Sequence, residues 1–117
     1  MPLIEIHMLP LGRAVELDGV AQRINAAVAA ALGARVDATW TTWRTLDGYA
    51  VGPAVADEQP AASHPPIVHV YARRSVEELD RICDVVEAVL VEELGLDPGN
   101  VFITVQPVFA PGDGPSG

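Results

Sequence analysis

The amino-acid sequence matches itself, without a gap, when displaced by 62 positions. His7 meets His69, Glu16-Leu17-Asp18 meets Glu78-Leu79-Asp80, Ala26 meets Ala88, Leu32-Gly33 meets Leu94-Gly95, and Thr42 meets Thr104. Apolar positions coincide as well: Ile6 with Val68, Val20 with Ile82, Ile24 with Val86, Val28 with Leu90. Looking for such periodicity comes before any local assignment, because a repeat dictates the architecture. The chain reads as two tandem copies of one supersecondary unit.

Each copy reads strand, helix, strand. Residues 3–9 are apolar enough for a buried strand, and residues 67–71 are their counterpart, rich in β-branched side chains. A helix is expected from Glu16 to Leu32, since Leu17, Val20, Ile24, Val28 and Leu32 recur every three or four positions and form one stripe. Its centre is rich in alanine, which favours helix, and Gly33 is its natural stop. The second helix carries a stronger start signal. Ser75-Val76-Glu77-Glu78 is a capping box, followed by a stripe of Leu79, Ile82, Val86, Val89 and Leu90 and a stop at Gly95. Asp97-Pro98-Gly99-Asn100 reads as a turn. The strands after the helices are expected at 39–43 and 101–105.

Two such units define an α+β chain: a four-stranded mixed sheet with two helices on one face. The strands within each unit run parallel because a helix crosses over between them. The domain expectation is one domain over 1–110, with units at 2–45 and 66–107, a Pro-rich connection at 46–65 holding a short extended piece around 49–51, and a flexible tail at 110–117. The strands look too apolar to leave the second sheet face in water, so oligomerisation is the expected cover.

Composition narrows the function. Half of the 117 residues are hydrophobic, enough for a core. The net charge is −9, which argues against nucleic acid as a partner, because a binding face must neutralise phosphates. No apolar run reaches the ~18 residues that cross a bilayer, so no membrane partner is expected. The first residues do not read as a signal peptide, and a cytoplasmic location is expected. Cys83 is the sole cysteine, which excludes an internal disulfide, and His7 and His69 without a third ligand make no metal site. All seven basic residues are arginine.

Met1-Pro2 is the first chemical clue. A small second residue permits removal of the initiator methionine, which leaves Pro2 with a free amine. An α-amino group titrates near 8, and burial or a neighbouring Arg lowers that value. Such an amine can take a proton from carbon and return it. Met1-Pro2-Leu3-Ile4-Glu5-Ile6-His7-Met8-Leu9 with Gly12-Arg13, then Pro66-Ile67-Val68-His69-Val70 with Arg74-Ser75-Val76-Glu77-Glu78-Leu79, and the closing Leu94-Gly95-Leu96-Asp97-Pro98-Gly99-Asn100-Val101-Phe102, resemble the 4-oxalocrotonate tautomerase family. The resemblance spans nearly the whole chain outside 46–63 and the tail. It is to the fused, two-unit members, a group that includes malonate semialdehyde decarboxylase, 5-carboxymethyl-2-hydroxymuconate isomerase and macrophage migration inhibitory factor.

The resemblance implies a homotrimer, catalysis without a cofactor, and Pro2 as the catalytic residue. Pro65 and Pro66 open the second unit, but their nitrogens lie in peptide bonds and are not basic. Arg13 and Arg74 match positions that grip a substrate carboxylate, Arg13 with one extra residue in the turn before it. Arg73 is Arg74's rival, because neighbouring residues of a strand point to opposite faces. Trp40 stands where short-chain members place an arginine, and Trp40 or Trp43 is expected to wall the pocket or pack in an interface or core. Asp37 is one position from the decarboxylase aspartate and reads better as a solvated carboxylate. No late glutamate precedes the tail's Asp113, which argues against hydration of a haloacrylate. His7 and His69 read as structural, Cys83 as packing, and Asp47 and Tyr49 as residues able to close over the pocket. The expected activity is keto-enol proton transfer on a small 2-oxo or enol carboxylic acid. The alternatives are decarboxylation of a 3-oxo acid and a non-catalytic trimeric binding protein.

Overall fold

The computed structural model describes residues 2–11, 16–56 and 64–108. In chain order the elements are β1 (Leu3–Met8), α1 (Leu17–Leu32), a 3₁₀ turn (Val36–Ala38), β2 (Trp40–Thr45), β3 (Tyr49–Val51), β4 (Ala54–Ala56), β5 (Ile67–Ala72), α2 (Val76–Leu94) and β6 (Phe102–Pro107). The main sheet has the order β2-β1-β5-β6. The outer strands run parallel to their own unit's first strand, and β1 meets β5 antiparallel. This is the α+β arrangement expected from the repeat.

Alternation decides which side of the sheet closes. Ile4, Ile6 and Met8 of β1 and Val68, Val70 and Ala72 of β5 are buried in one cluster with Val20, Ile24 and Val28 of α1 and Ile82, Val86, Val89 and Leu90 of α2. Burying one large aliphatic side chain contributes about 1.5–3 kcal/mol, so this cluster holds the helices to the sheet. Both helices end as expected, on Gly33 and Gly95 in the left-handed region, with φ of 64° and 68°. Gly99, at φ 83°, completes the turn in which Asn100 N–H donates to the Asp97 carbonyl at 3.0 Å.

Four expectations change. First, β2 and β6 begin one residue late and run further than expected. Before β2, the Thr39 N–H is taken by the Val36 carbonyl at 3.1 Å, and the ladder starts with Trp40. Second, the repeat is not one uniform displacement. Trp40 and Phe102 open the second strands 62 positions apart, but Leu3 and Ile67 open the first strands 64 apart. His69 therefore corresponds to Glu5, not to His7. Third, the extended piece expected at 49–51 is present as β3, but it pairs with an unexpected second strand, β4, in a hairpin closed by Gly52 at φ 55° and Pro53.

Fourth, the open sheet face is not apolar. It carries Glu5 and His7 of β1, Thr42 and Arg44 of β2, His69 and Tyr71 of β5, and Thr104 and Gln106 of β6, among Leu3, Trp40, Ile67 and Phe102. The ring centroids of His7 and His69 stand edge to face at 5.5 Å, and His69 Nδ1 is 2.6 Å from Thr104 Oγ1. The Tyr71 hydroxyl bonds Glu5, which pushes its pKa up. Among the described residues no helix is long and apolar enough to cross a membrane.

Candidate active site

Sheet topology gathers one set of residues around Pro2. Leu3 pairs with Trp40 on one side and with Tyr71 on the other. The start of β2, the end of β5 and the end of β6 therefore share the Pro2 end of the sheet, along with the N-terminus of α2. Pro2 is buried there, and its carbonyl accepts the Trp40 N–H at 3.0 Å. Met1 lies outside the described residues.

Arg73 and Arg74 follow directly on β5, at this same end. Arg73 is exposed and Arg74 is half-buried. The Arg74 guanidinium donates from Nη1 to Glu78 at 3.2 Å, one helical turn along. Glu78 also completes the capping box: its N–H donates to Ser75 Oγ at 3.2 Å, and its carboxylate accepts from the Ser75 N–H at 3.3 Å. The Ser75 backbone and hydroxyl, and then Arg74, hold the Glu78 carboxyl below the usual carboxylate range against the opposing effect of burial. One carboxylate thus fixes both the helix start and the arginine beside it. The capping box was legible in the sequence; its junction with Arg74 follows from the i, i+4 spacing.

Other expected site residues fall elsewhere. Arg13 lies outside the described residues. Leu9 and Leu11, which lead toward it, follow the far end of β1, about 20 Å from Pro2 at roughly 3.3 Å per strand residue. The Trp40 ring is on the open face and half exposed, with Nε1 3.3 Å from the Asp37 carbonyl; Trp43 packs against the core under the helices. Asp37 pairs with Arg35 at 2.5 Å in the exposed 3₁₀ turn, a solvated carboxylate as expected. Tyr49 does not close over Pro2. Its hydroxyl donates to the Pro65 carbonyl at 3.0 Å and its ring meets His64, anchoring the hairpin at the opposite end of the sheet. Asp47 lies on that same connection, past the end of β2.

Cys83 is half-buried, and burial, then Asp80, Asp84 and Glu87, push its thiol pKa up. That disfavours the thiolate and a nucleophilic role. Among the described residues no group of three His, Cys, Asp or Glu side chains is placed to hold a metal. One residue near Pro2 gave no sequence signal. Thr39 is 2% exposed, and its Oγ1 has no hydrogen-bond partner among the described residues.

No family model matches the sequence, nor does any curated protein sequence. Solved structures do match. A wild-type fused 4-OT in an asymmetric trimer aligns at a TM-score of 0.75 and 17% identity, over 94% of this chain and 92% of its own. Pt0534, a protein inactivated by 2-oxo-3-pentynoate, aligns at 0.73 and 15% identity, over 91% and 85%. A macrophage migration inhibitory factor-like protein from Entamoeba histolytica aligns at 0.72 and 13% identity, over 97% and 93%. The chain has the tautomerase superfamily fold.

Proposed function

We propose that the protein is a cofactor-independent tautomerase that moves a proton between the keto and enol forms of a small 2-oxo or enol carboxylic acid. The observation that carries this reading is the placement of buried Pro2 and the Arg74 junction at one end of the sheet, on a fold shared with fused 4-OT. Removal of Met1 leaves the Pro2 nitrogen as a free amine. In its neutral form that nitrogen takes a proton from a substrate carbon, becomes positively charged, and returns the proton to a second position. Arg74 binds the carboxylate through its planar fork while Nη1 keeps Glu78, and its fixed charge favours the enolate as it develops. Arg73 and the Trp40 ring flank this group.

The protein acts as a single domain over 1–110, in the cytoplasm, and as a homotrimer. Two observations support assembly. Solved fused 4-OT structures that share this fold are trimers. The hairpin β3-β4 exposes apolar side chains, with Val51 at 45% and Val55 at 78% accessibility, although a two-stranded hairpin is marginal by itself in water. A neighbouring copy is the source we assign for an Arg13 contact, since β1 runs from Pro2 to the far end of the sheet.

The test combines three measurements on one preparation. Mass spectrometry finds Met1 removed, light scattering gives a trimer, and 2-oxo-3-pentynoate labels Pro2 as enol turnover is lost. A retained Met1, or label elsewhere with turnover intact, refutes the reading.

A further inference from the structure

Thr39 and Thr41 sit on the same face of the sheet, toward the helices, and differ in one respect. Thr41 Oγ1 is 2.7 Å from Asn25 Oδ1 of α1. Thr39 is more deeply buried, and its Oγ1 has no partner among the described residues. A buried hydroxyl left without a hydrogen bond is costly, so its presence calls for an explanation.

Register supplies the neighbour. Leu3 pairs with Trp40 in a parallel ladder, and the Trp40 N–H donates to the Pro2 carbonyl, so Thr39 stands beside Pro2. Both are buried. The second unit is the internal control. There Phe102 N–H donates to the Pro66 carbonyl at 3.1 Å in the same way, and the residue before Phe102 is Val101. Pro66 carries an amide nitrogen without a hydrogen for the life of the chain, and its neighbour has no hydroxyl. Pro2 can become an amine, and its neighbour is a threonine.

We propose that Thr39 Oγ1 is the hydrogen-bond partner of the Pro2 amine once Met1 is removed, accepting from its protonated form and raising its proton affinity. Thr39 is thus a positioning residue for the proton transfer, and the inference rests on the tautomerase reading above. A hydrogen bond to the charged amine is stronger than one to the neutral amine, which fixes the sign. The other titratable and charged groups at this end of the sheet are Arg35 and Asp37 before β2, Arg73 and Arg74 between β5 and α2, Glu77 and Glu78 in the first turn of α2, and Tyr71 with its partner Glu5 on the open face. Thr39 itself does not titrate, and none of these groups changes when it is replaced.

The experiment follows the Pro2 amine by ¹⁵N-proline NMR titration and by the pH profile of kcat/KM. Thr39→Val, which keeps the shape and deletes the hydroxyl, is expected to lower the Pro2 pKa by about half to one pH unit and to move the ascending, acid-side limb of the profile to lower pH by the same amount. Thr39→Ser restores both. An unmoved or raised pKa in the valine variant, or a serine variant that behaves like valine, overturns the proposal. Thermal melts give a second, independent reading. In a chain extended in front of Met1 by an affinity tag, Thr39→Val raises or leaves Tm unchanged, and in the chain that begins at Pro2 it lowers Tm; equal losses in both overturn the proposal. A chain found to keep Met1 refutes the tautomerase reading itself, whereas a free Pro2 amine indifferent to Thr39 refutes only this inference.

Discussion

Pro2 and Pro66 hold the same place in their two units. Each precedes the first strand, and each carbonyl accepts the N–H that opens the second strand, at 3.0 and 3.1 Å. Around that shared frame the units diverge. After β1 the chain takes eight residues, 9–16, to reach α1, whose N-cap Glu16 makes no side-chain capping bond. After β5 it takes only Arg73, Arg74 and Ser75, and α2 starts on a full capping box. In the site proposed above, the first unit contributes Pro2 and the second contributes a short, fixed junction that holds a half-buried arginine at the same end of the sheet. A duplicated unit can divide a site in this way because the antiparallel β1–β5 pair brings the start of one strand to the end of the other.

The widest break in this symmetry is expected between the two prolines. Pro2→Ala lowers enol-to-keto turnover by about 10²–10⁴-fold, the usual contribution of a positioned acid–base group. Pro66→Ala leaves kcat within a few-fold and costs about 0.4–1 kcal/mol of stability through a looser unfolded chain. Steady-state kinetics and thermal melts on both variants decide it. Comparable kinetic losses at the two positions would remove the distinction.

Next in size is Arg74. Its replacement by Ala deletes a charge-assisted contact of about 1.5–3 kcal/mol, or roughly ten- to a hundredfold in kcat/KM for an acid substrate, with little effect on the uncharged ester. Glu78→Gln isolates the ion pair, because glutamine still completes a capping box. With its counter-charge gone, Arg74 is expected to bind the acid about two- to fivefold more tightly, the modest gain that loss of a partly exposed pair allows. A loss of equal factor on acid and ester in Arg74→Ala assigns the arginine to the helix start rather than to substrate.

These contrasts explain what the sequence could and could not reveal. Helix limits were legible because their signals are local: the apolar stripes, Ser75 with Glu78, and Gly33 and Gly95. The pairing of the first strands was not. A displacement of 62 aligns the helix ends, while the first strands need 64, and a two-residue slip keeps every side chain on its own face, so alternation cannot detect it. The second strand of the hairpin, Ala54–Ala56, was missed because alanine and proline depress strand propensity even where Gly52-Pro53 marks the turn. The polar character of the open face is spread over four strands, and Glu5, His69 and Tyr71 become neighbours only through register. Thr39 is silent for the same reason: a threonine before a strand is ordinary until its burial and missing partner are known.

Smaller effects separate the two helix starts. Ser75→Ala is expected to cost about 1 kcal/mol, the usual value of a side-chain N-cap. Gly19, inside α1, has ordinary helical backbone, and an added Cβ would meet only the Glu16 side chain at 3.8–4.0 Å. Gly19→Ala therefore gains about 0.5–1 kcal/mol. Urea melts that show both changes in the same direction would mean that the helix starts do not limit stability as their caps imply.

The smallest expected effect is a pH dependence confined to the second unit. The Ser75 backbone N–H, the Ser75 hydroxyl and Arg74 hold Glu78 below its ordinary value near 4.5. Its folded pKa is thus lower than its unfolded one, and below about 4.5 the unfolded chain binds more protons than the folded chain. The stabilisation is complete above that value and is lost as pH falls through the folded pKa. Glu78→Gln keeps a capping residue but cannot titrate. Its stability relative to the parent should therefore be lowest above about pH 5 and should recover as the pH is brought toward 3. Ser75→Ala removes the hydroxyl but keeps the backbone donor, so its acid limb should fall between the two. Arg23 bonded to Glu92 and Glu93 acts across the two helices, lowers the Glu92 pKa, and is unchanged in both variants, so it cancels from the comparison. Thermal melts at closely spaced pH values provide the measurement. Curves for Glu78→Gln and the parent that stay parallel down to pH 3 would show that Glu78 holds Ser75 and Arg74 no more tightly in the folded chain than in the unfolded one.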